Sequence, residues 1–396
     1  MRGTERVQTS MLSLVVPDER IPADHPLRTV RSIVDRALAA LSPEFDAVYA
    51  ARGRPSIPPE QLLRALLLQL FYSVRSERLL MEQLDYNLLF RWFVGLNQDE
   101  PVCAPSVFSK NRERFLAGAV VAKFFELVVD DARSRGLLSD EHFTVDGTLL
   151  EGSAAFKSLA RRADAPPRGP DDPAGPPLPP GASPRNPTVD FRGERRTNAT
   201  HRSTTDPDVR LARKAKGHET RLSYQANVLL DNRFGLPVDT EVTEADDGHG
   251  EHTAALLMLA ARCPAAAVGA PRGGRRTVGA DKKYDDPDFV AAARVLQVTP
   301  HVAQNLHARR PLSAIDGRTT QTPGYQTSQA LRPRIEEGFG WAKTIGLLDK
   351  LRHRTLPKVQ QVFALTMCGY LLVRLKTLVR AGRGHPPRRR LRLRTA

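Results

Sequence analysis

The 396 residues carry 59 Lys and Arg against 44 Asp and Glu, a net charge of +15, with 41% hydrophobic residues. That composition is ordinary for a globular chain with room for two or three domains, or one large domain with an appendage. Cys103, Cys263 and Cys368 lie far apart in unlike contexts, which excludes a disulfide framework and a cysteine metal site and fits a reducing cytosol.

The opening "MRGTERVQTSMLSLVVPDER" lacks the apolar core of a signal peptide. Residues 58–96 then read as helical, with prolines suited to a first turn and apolar residues at three-to-four spacing. Leu80, Leu84, Leu88 and Trp92 share one side of that pattern. After the turn "NQDEPVCAP", Ser106 is placed to cap a helix through "VFSKNRERF". Its Lys110, Arg112 and Arg114 suit either a helix that reads DNA or a solvated helix face.

From His142 the period changes. "HFTV", "SYQANVLL", "LPVDTEVT", "RRTVGAD" and "VTPHVAQ" are short β-branched runs bounded by turn residues. "HTAALLMLAARC" and "DPDFVAAARVLQ" are helical stretches between the later runs, so the pattern predicts a mixed α/β sheet flanked by helices. Residues 164–187 hold 10 of the 31 prolines and almost no apolar bulk, which predicts a disordered insertion. The segment "DFRGERRTNATHRSTTDPD", containing Arg196, is polar and basic without being low in complexity. The late run "VFALTMCGYLLV" has 12 residues, short of the roughly 20 that a membrane span needs, and reads as a core helix. Twelve basic and no acidic residues lie from Leu351 onward, leaving +3 for residues 1–350. The excess ends in a basic tail, 379–396, of a kind that binds nucleic acid by displacing counterions or is simply solvated.

Three acids have suitable settings. Asp146 follows "HFTV", Asp281 ends "RRTVGA", and Glu336 sits on a helix in "LRPRIEEGFGWAK". Side chains at carboxyl ends of strands line the open edge of an α/β sheet, and a covering helix can bring a third acid there. Three oxygen donors suit Mg²⁺, and two such ions activate a water or a 3′-hydroxyl and stabilise the leaving oxygen of a phosphodiester. Arg332, Glu336 and Lys343 fall near one helix face, Ile335, Phe339 and Ala342 form a neighbouring apolar stripe, and Glu337 turns about 100° away. His249 and His252, near Asp246, Asp247 and Glu251, have metal-like spacing, but a polar loop capping a helix explains them better. Ser203, Thr204 and Thr205 beside Asp206 lack a nucleophile elbow, and "APRGGRR" lacks the ending of a phosphate-binding loop.

The blocks "YSVRSERLLMEQLDYNLLFRWFVGL", "FSKNRERF", "FTVDGTLLEG", "RTNATHRSTTDPD", "VGADKKYD", "PHVAQN", "SAIDGRTT" and "RIEEGFGWAKTIGLL" resemble the DDE transposases of bacterial insertion sequences, in the insertion-sequence-five group. The likeness runs from about residue 12 to about 378. It implies a ribonuclease-H-like catalytic domain over 136–378, after an all-α DNA-binding domain over 1–135. It further implies that Asp146, Asp281 and Glu336 bind two Mg²⁺ ions, with Mn²⁺ as a substitute, and that Arg332 and Lys343 help hold element ends. The expected function is cleavage of element ends and their joining to target DNA, by a homodimer or higher oligomer in the bacterial cytoplasm, at the nucleoid and without a membrane. The alternatives are a silent relic that only binds DNA and a nuclease of the same fold that cuts without joining. Gln329 stands where the family signature has tyrosine, and Ser153 and Cys103 stand where relatives often have tryptophan.

Overall fold

In the computed structural model, which describes residues 16–48, 56–163, 196–214, 217–245, 249–263, 276–306 and 313–383, eight helices come first. Proline opens α1 (Pro17–Arg20), α2 (Pro26–Ala40), α4 (Pro59–Phe71) and α7 (Pro105–Ala117), where its locked φ and missing N–H suit a first turn. The others are α3 (Ser42–Val48), α5 (Glu77–Tyr86), α6 (Leu88–Val94) and α8 (Val120–Ser134). Two details differ from the sequence reading. The pattern over 58–96 is not continuous: the Asn87 side chain accepts from the backbone N–H groups of Leu89 and Phe90, starting α6 afresh. Such side-chain caps compete with helix continuation. Leu80 and Leu84 therefore pack through α5, whereas Trp92 belongs to α6 and donates its Nε1–H to Asp18 at 2.8 Å. Likewise α7 begins at Pro105, so Ser106 lies inside it and Ala104 is the capping position.

The strands are β1 (His142–Glu151), the small pair β2 (Leu159–Arg161) and β3 (His201–Ser203), then β4 (Arg210–Ala212), β5 (Arg221–Asp231) and β6 (Leu236–Glu244). After them come α9 (His249–Arg262), β7 (Arg276–Ala280), α10 (Pro287–Val295) and β8 (Val298–Val302). The chain continues with α11 (Gly317–Thr320), α12 (Pro323–Leu331), α13 (Arg334–Thr344) and α14 (Leu356–Arg380). Pairing runs β6-β5-β1-β7-β8, with β4 also on β5; β6, β5 and β1 are antiparallel neighbours, while β1, β7 and β8 run parallel. This is the mixed sheet that the strand pattern predicts, and its order is the ribonuclease-H-like one that the family resemblance implies.

The two faces of the sheet are covered differently. Phe143, Val145 and Leu229 face a core shared with α9, α8 and the amino-terminal helices. Leu150, Tyr224, Ala226, Val228 and Leu230 face α13 and α14. α14 contributes to both cores, burying Ala364, Cys368, Leu371 and Leu375 in the first and Val359, Phe363 and Met367 in the second. The amino-terminal helices and the sheet are therefore joined by one apolar helix. α14 is the one helix among the described residues that is long and apolar enough for a bilayer, and most of that apolar stretch is buried inside the protein.

The proline-rich segment 164–187 and the tail beyond residue 383 lie outside the described residues.

Candidate active site

β1 continues to Glu151, so Asp146 is not at its end, as the run "HFTV" suggests, but in its middle. It is the neighbour that stops. β7 ends at Ala280, and the parallel register pairs His142 with Thr277, Phe143 with Val278 and Thr144 with Gly279. Continuing that offset sets Asp146 level with Asp281, whose backbone is still extended at φ −77° and ψ 176°. Adjacent strands lie about 4.8 Å apart and their level residues share a face, so the register brings these two acids together.

That face belongs to α13. Asp146 pairs across β1 and β5 with Val228, which faces α13 and α14. Two residues on, Thr148 accepts a 2.8 Å hydrogen bond from Lys343 Nζ. Ile335, Phe339 and Ala342 are buried, as their stripe predicts, which fixes the helix's rotation against the sheet. Glu336 lies two turns before Lys343 and so on the same side of α13, where it is exposed. Glu337 is exposed too, but sits near Arg374, 3.9 Å away, on another side. Among the described residues no three His, Cys, Asp or Glu side chains stand grouped for a metal ion; Glu336 is not drawn in with the two aspartates.

Carboxylates are concentrated here. Burial pushes the Asp146 carboxyl up to about 6, with the nearby charges of Asp281 and Glu251 adding to the shift and its hydrogen bond from Gly147 N and the charge of Arg332 opposing it. Burial also raises Glu251, which is only 6% exposed. Neighbouring carboxylates drawn out of water repel unless protonated or neutralised by a cation. Their oxygen chemistry fits a hard divalent ion.

Glu251 was not in the predicted set. It reaches the site from the opposite face of the sheet, over Gly147, beside Gln225 and Asn227. A Cβ at Gly147 would meet Gln225 Nε2, Asn227 Oδ1 at 2.5 Å and Glu251 Oε1 at 3.0 Å, so a larger residue after Asp146 would have to push these side-chain ends aside. The signal for Glu251 is its period: with Ala255, Met258 and Leu259 it falls on the buried stripe of α9, an acid at a core position. His252, read as part of a possible metal pair, instead places its Nε2 3.1 Å from the Lys283 carbonyl and its ring against Tyr284 and Phe289.

A cleft of about 1750 Å³ opens beside Asp146 and Asp281. Arg196, Arg213, Lys214, His218, Lys283 and Lys343 line it. Arg196 also donates to the Phe156 carbonyl at 2.8 Å. Burial and the neighbouring charge of Lys214 push Lys343 below the usual lysine range. Two facing ammonium groups in one cleft suit an anionic guest.

The amino-terminal cations behave differently. Lys110 and Arg114 are exposed on α7. Arg112 is instead paired with Glu77 and, at 3.0 Å, with Glu113, so its guanidinium ties α7 to α5 within the helical region. The pairing needs an acid 35 positions away, which local spacing does not reveal. Arg332 is half-buried beside Asp146, and its Nε is buried without a hydrogen-bond partner. The Ser203–Asp206 block caps a helix: Asp206 accepts from Tyr224 Oη and Thr355 N, and Asp208 from Leu356 N, at the start of α14. Gln329, at the signature's tyrosine position, donates to the carbonyls of His301 (2.5 Å) and Ala280 (3.5 Å), pinning α12 to the ends of β8 and β7.

The family described as Transposase domain (DUF772) matches residues 15–114, and the family described as Transposase DDE domain matches residues 197–372. No curated protein matches the chain. A cryo-EM structure of the piggyBac transposase synaptic complex with hairpin DNA aligns with a TM-score of 0.40 and 8% identity, over 91% of this chain and 77% of that one.

Proposed function

The chain belongs to the DDE transposases, DNA-cleaving and strand-transferring enzymes that depend on a metal, and on that premise we propose that Asp146, Asp281 and Glu336 carry its chemistry. The observation that supports this most is the β1–β7 register, which levels Asp146 with Asp281 on the side of the sheet covered by α13. Asp146 and Asp281 are the residues that would hold a divalent cation, and Glu336 on α13 would be the third donor. The chemistry such an ion, Mg²⁺ or Mn²⁺, singly or as a pair, would supply is activation of an attacking water and stabilisation of the leaving oxygen. Lys343, held by Thr148, and Lys214 across the cleft grip backbone phosphates of the strand to be cut. Arg332 offsets part of the acids' mutual repulsion. Lys110 and Arg114 on the amino-terminal helices, and Arg196 in the cleft, hold flanking DNA. The substrates are the element's terminal inverted repeats and a target duplex, engaged by a homodimer or higher oligomer at the bacterial nucleoid.

The test is nicking of supercoiled plasmid and joining of labelled duplexes that copy the repeats flanking the gene, with and without Mg²⁺. The wild type should do both only with the metal. Asp146→Asn and Asp281→Asn should do neither while still shifting the same duplexes in a gel. Normal cutting by either variant would remove the assignment.

A further inference from the structure

Asp281 follows the end of β7 and would be free to swing unless something held the turn after it. The Asp285 end of that turn accepts from Asn305 N, Ser313 Oγ and Ala314 N, while three contacts on its Lys283–Tyr284 part come from the first turn of α9. The buried Glu251 accepts from Tyr284 Oη at 3.3 Å and lies 3.7 Å from Lys283 Nζ. His252 places its Nε2 3.1 Å from the Lys283 carbonyl. Tyr284 is fully buried, stacked between the His252 and Phe289 rings at 5.1 Å each. Asp281 in turn accepts from Lys283 N at 2.9 Å. A continuous path therefore runs from α9 through Tyr284 and Lys283 to the Asp281 carboxylate.

We infer that Glu251 is a positioning residue for the transposase reaction: through Tyr284 and Lys283 it fixes the turn that aims Asp281 at Asp146. This rests on the assignment of the two aspartates above. Glu251 approaches over Gly147, on the sheet face opposite the Asp146 side chain, which suits a support acting through the turn. Side chains that orient the ligands of a metal site commonly cost about 10- to 100-fold in metal affinity or activity when replaced.

The experiment compares Glu251→Gln, Tyr284→Phe and the double variant with the full-length wild type. Mn²⁺ binding is measured by calorimetric titration without DNA, nicking of supercoiled plasmid as a function of Mn²⁺, and Tm in EDTA. Each single variant should need about 10- to 100-fold more Mn²⁺ for half-saturation and for half-maximal nicking. Tm and gel-shift affinity should stay near wild type, and the double variant should be no worse than the poorer single one, because one path is broken once. If Tm falls while the Mn²⁺ requirement stays fixed, the clamp is only structural and the inference fails. If Glu251→Gln is impaired while Tyr284→Phe matches wild type, Glu251 acts directly and the path through the turn is wrong. A wild type that binds Mn²⁺ but does not nick would strike the functional assignment instead, and the titrations alone would still decide the clamp. No Mn²⁺ binding by the wild type would remove both.

Discussion

α14 and the cleft are both buried in this protein, on opposite terms. α14 drives apolar side chains into both cores: Val359, Phe363, Cys368, Leu371 and Leu375 are each at most 1% exposed. Each such burial favours folding by roughly 1.5–3 kcal/mol. The cleft buries carboxylates instead. Asp146 and Glu251 are both raised by desolvation, and they share their surroundings with Asp281. An isolated fold gains nothing from that arrangement, since buried like charges cost stability unless neutralised. The difference separates what holds the protein together from what it does, because strained electrostatics persist where a function requires them.

The contrast is sharpest if substitutions on the two sides fail in different ways. Glu336→Gln should abolish cutting of labelled duplex ends while leaving gel-shift binding and Tm unchanged. Glu337→Gln, exposed on another side of α13, should keep substantial cutting. Should Glu337→Gln be the dead variant, the face assigned to α13 is wrong. Should neither matter, α13 takes no part in the chemistry. Leu371→Ala should do the reverse, lowering stability by about 2–5 kcal/mol through the cavity it leaves. Denaturant unfolding measures this, and an unchanged midpoint would mean that α14 is not the hub described above.

The smallest effect is on pH dependence. The Asp146 carboxyl stands at about 6 in the folded protein against 3.8 for a free aspartate. A raised folded pKa gives a contribution present in full below 3.8 and lost as pH rises through about 6. In EDTA, Asp146→Asn should therefore be more stable than wild type at pH 7.5, by no more than about 3 kcal/mol. That advantage should disappear by about pH 4, and Mn²⁺ should stabilise the wild type in preference. A constant difference across that range would mean that Asp146 is not electrostatically burdened.

How much of this can be read in the sequence follows the range of the forces involved. Strand runs such as "SYQANVLL" and the apolar face of α13 report local period, and β5 and α13 lie where those runs place them. Asp281 is legible because a strand end and an acid are neighbours in the chain. The length of β1 is not, since Gly147 interrupts its β-branched pattern, and the strand continues there because β5 pairs with it as far as Glu151. The ion pair of Arg112 is hidden for the same kind of reason: Glu77, its partner, belongs to another helix. The Asn87 cap is legible in principle, because asparagine is a preferred cap, but the apolar repeat runs straight through it.

The double role of α14 also bears on the order in which the protein is made. Helices such as α4 and α8 pack against a segment synthesised much later; Leu356 follows Phe71 by about 285 residues. At about 5–20 residues per second, a ribosome needs roughly 15–60 s to cover that stretch. Throughout that interval the apolar sides of α2, α4 and α8 lack their final partner, which leaves the nascent chain dependent on chaperones and exposed to proteases. A stop codon before residue 356 would remove the sheet's cover and the amino-terminal helices' closing contact together. Such a fragment should be cleared rather than persist as a free DNA-binding competitor of the full protein.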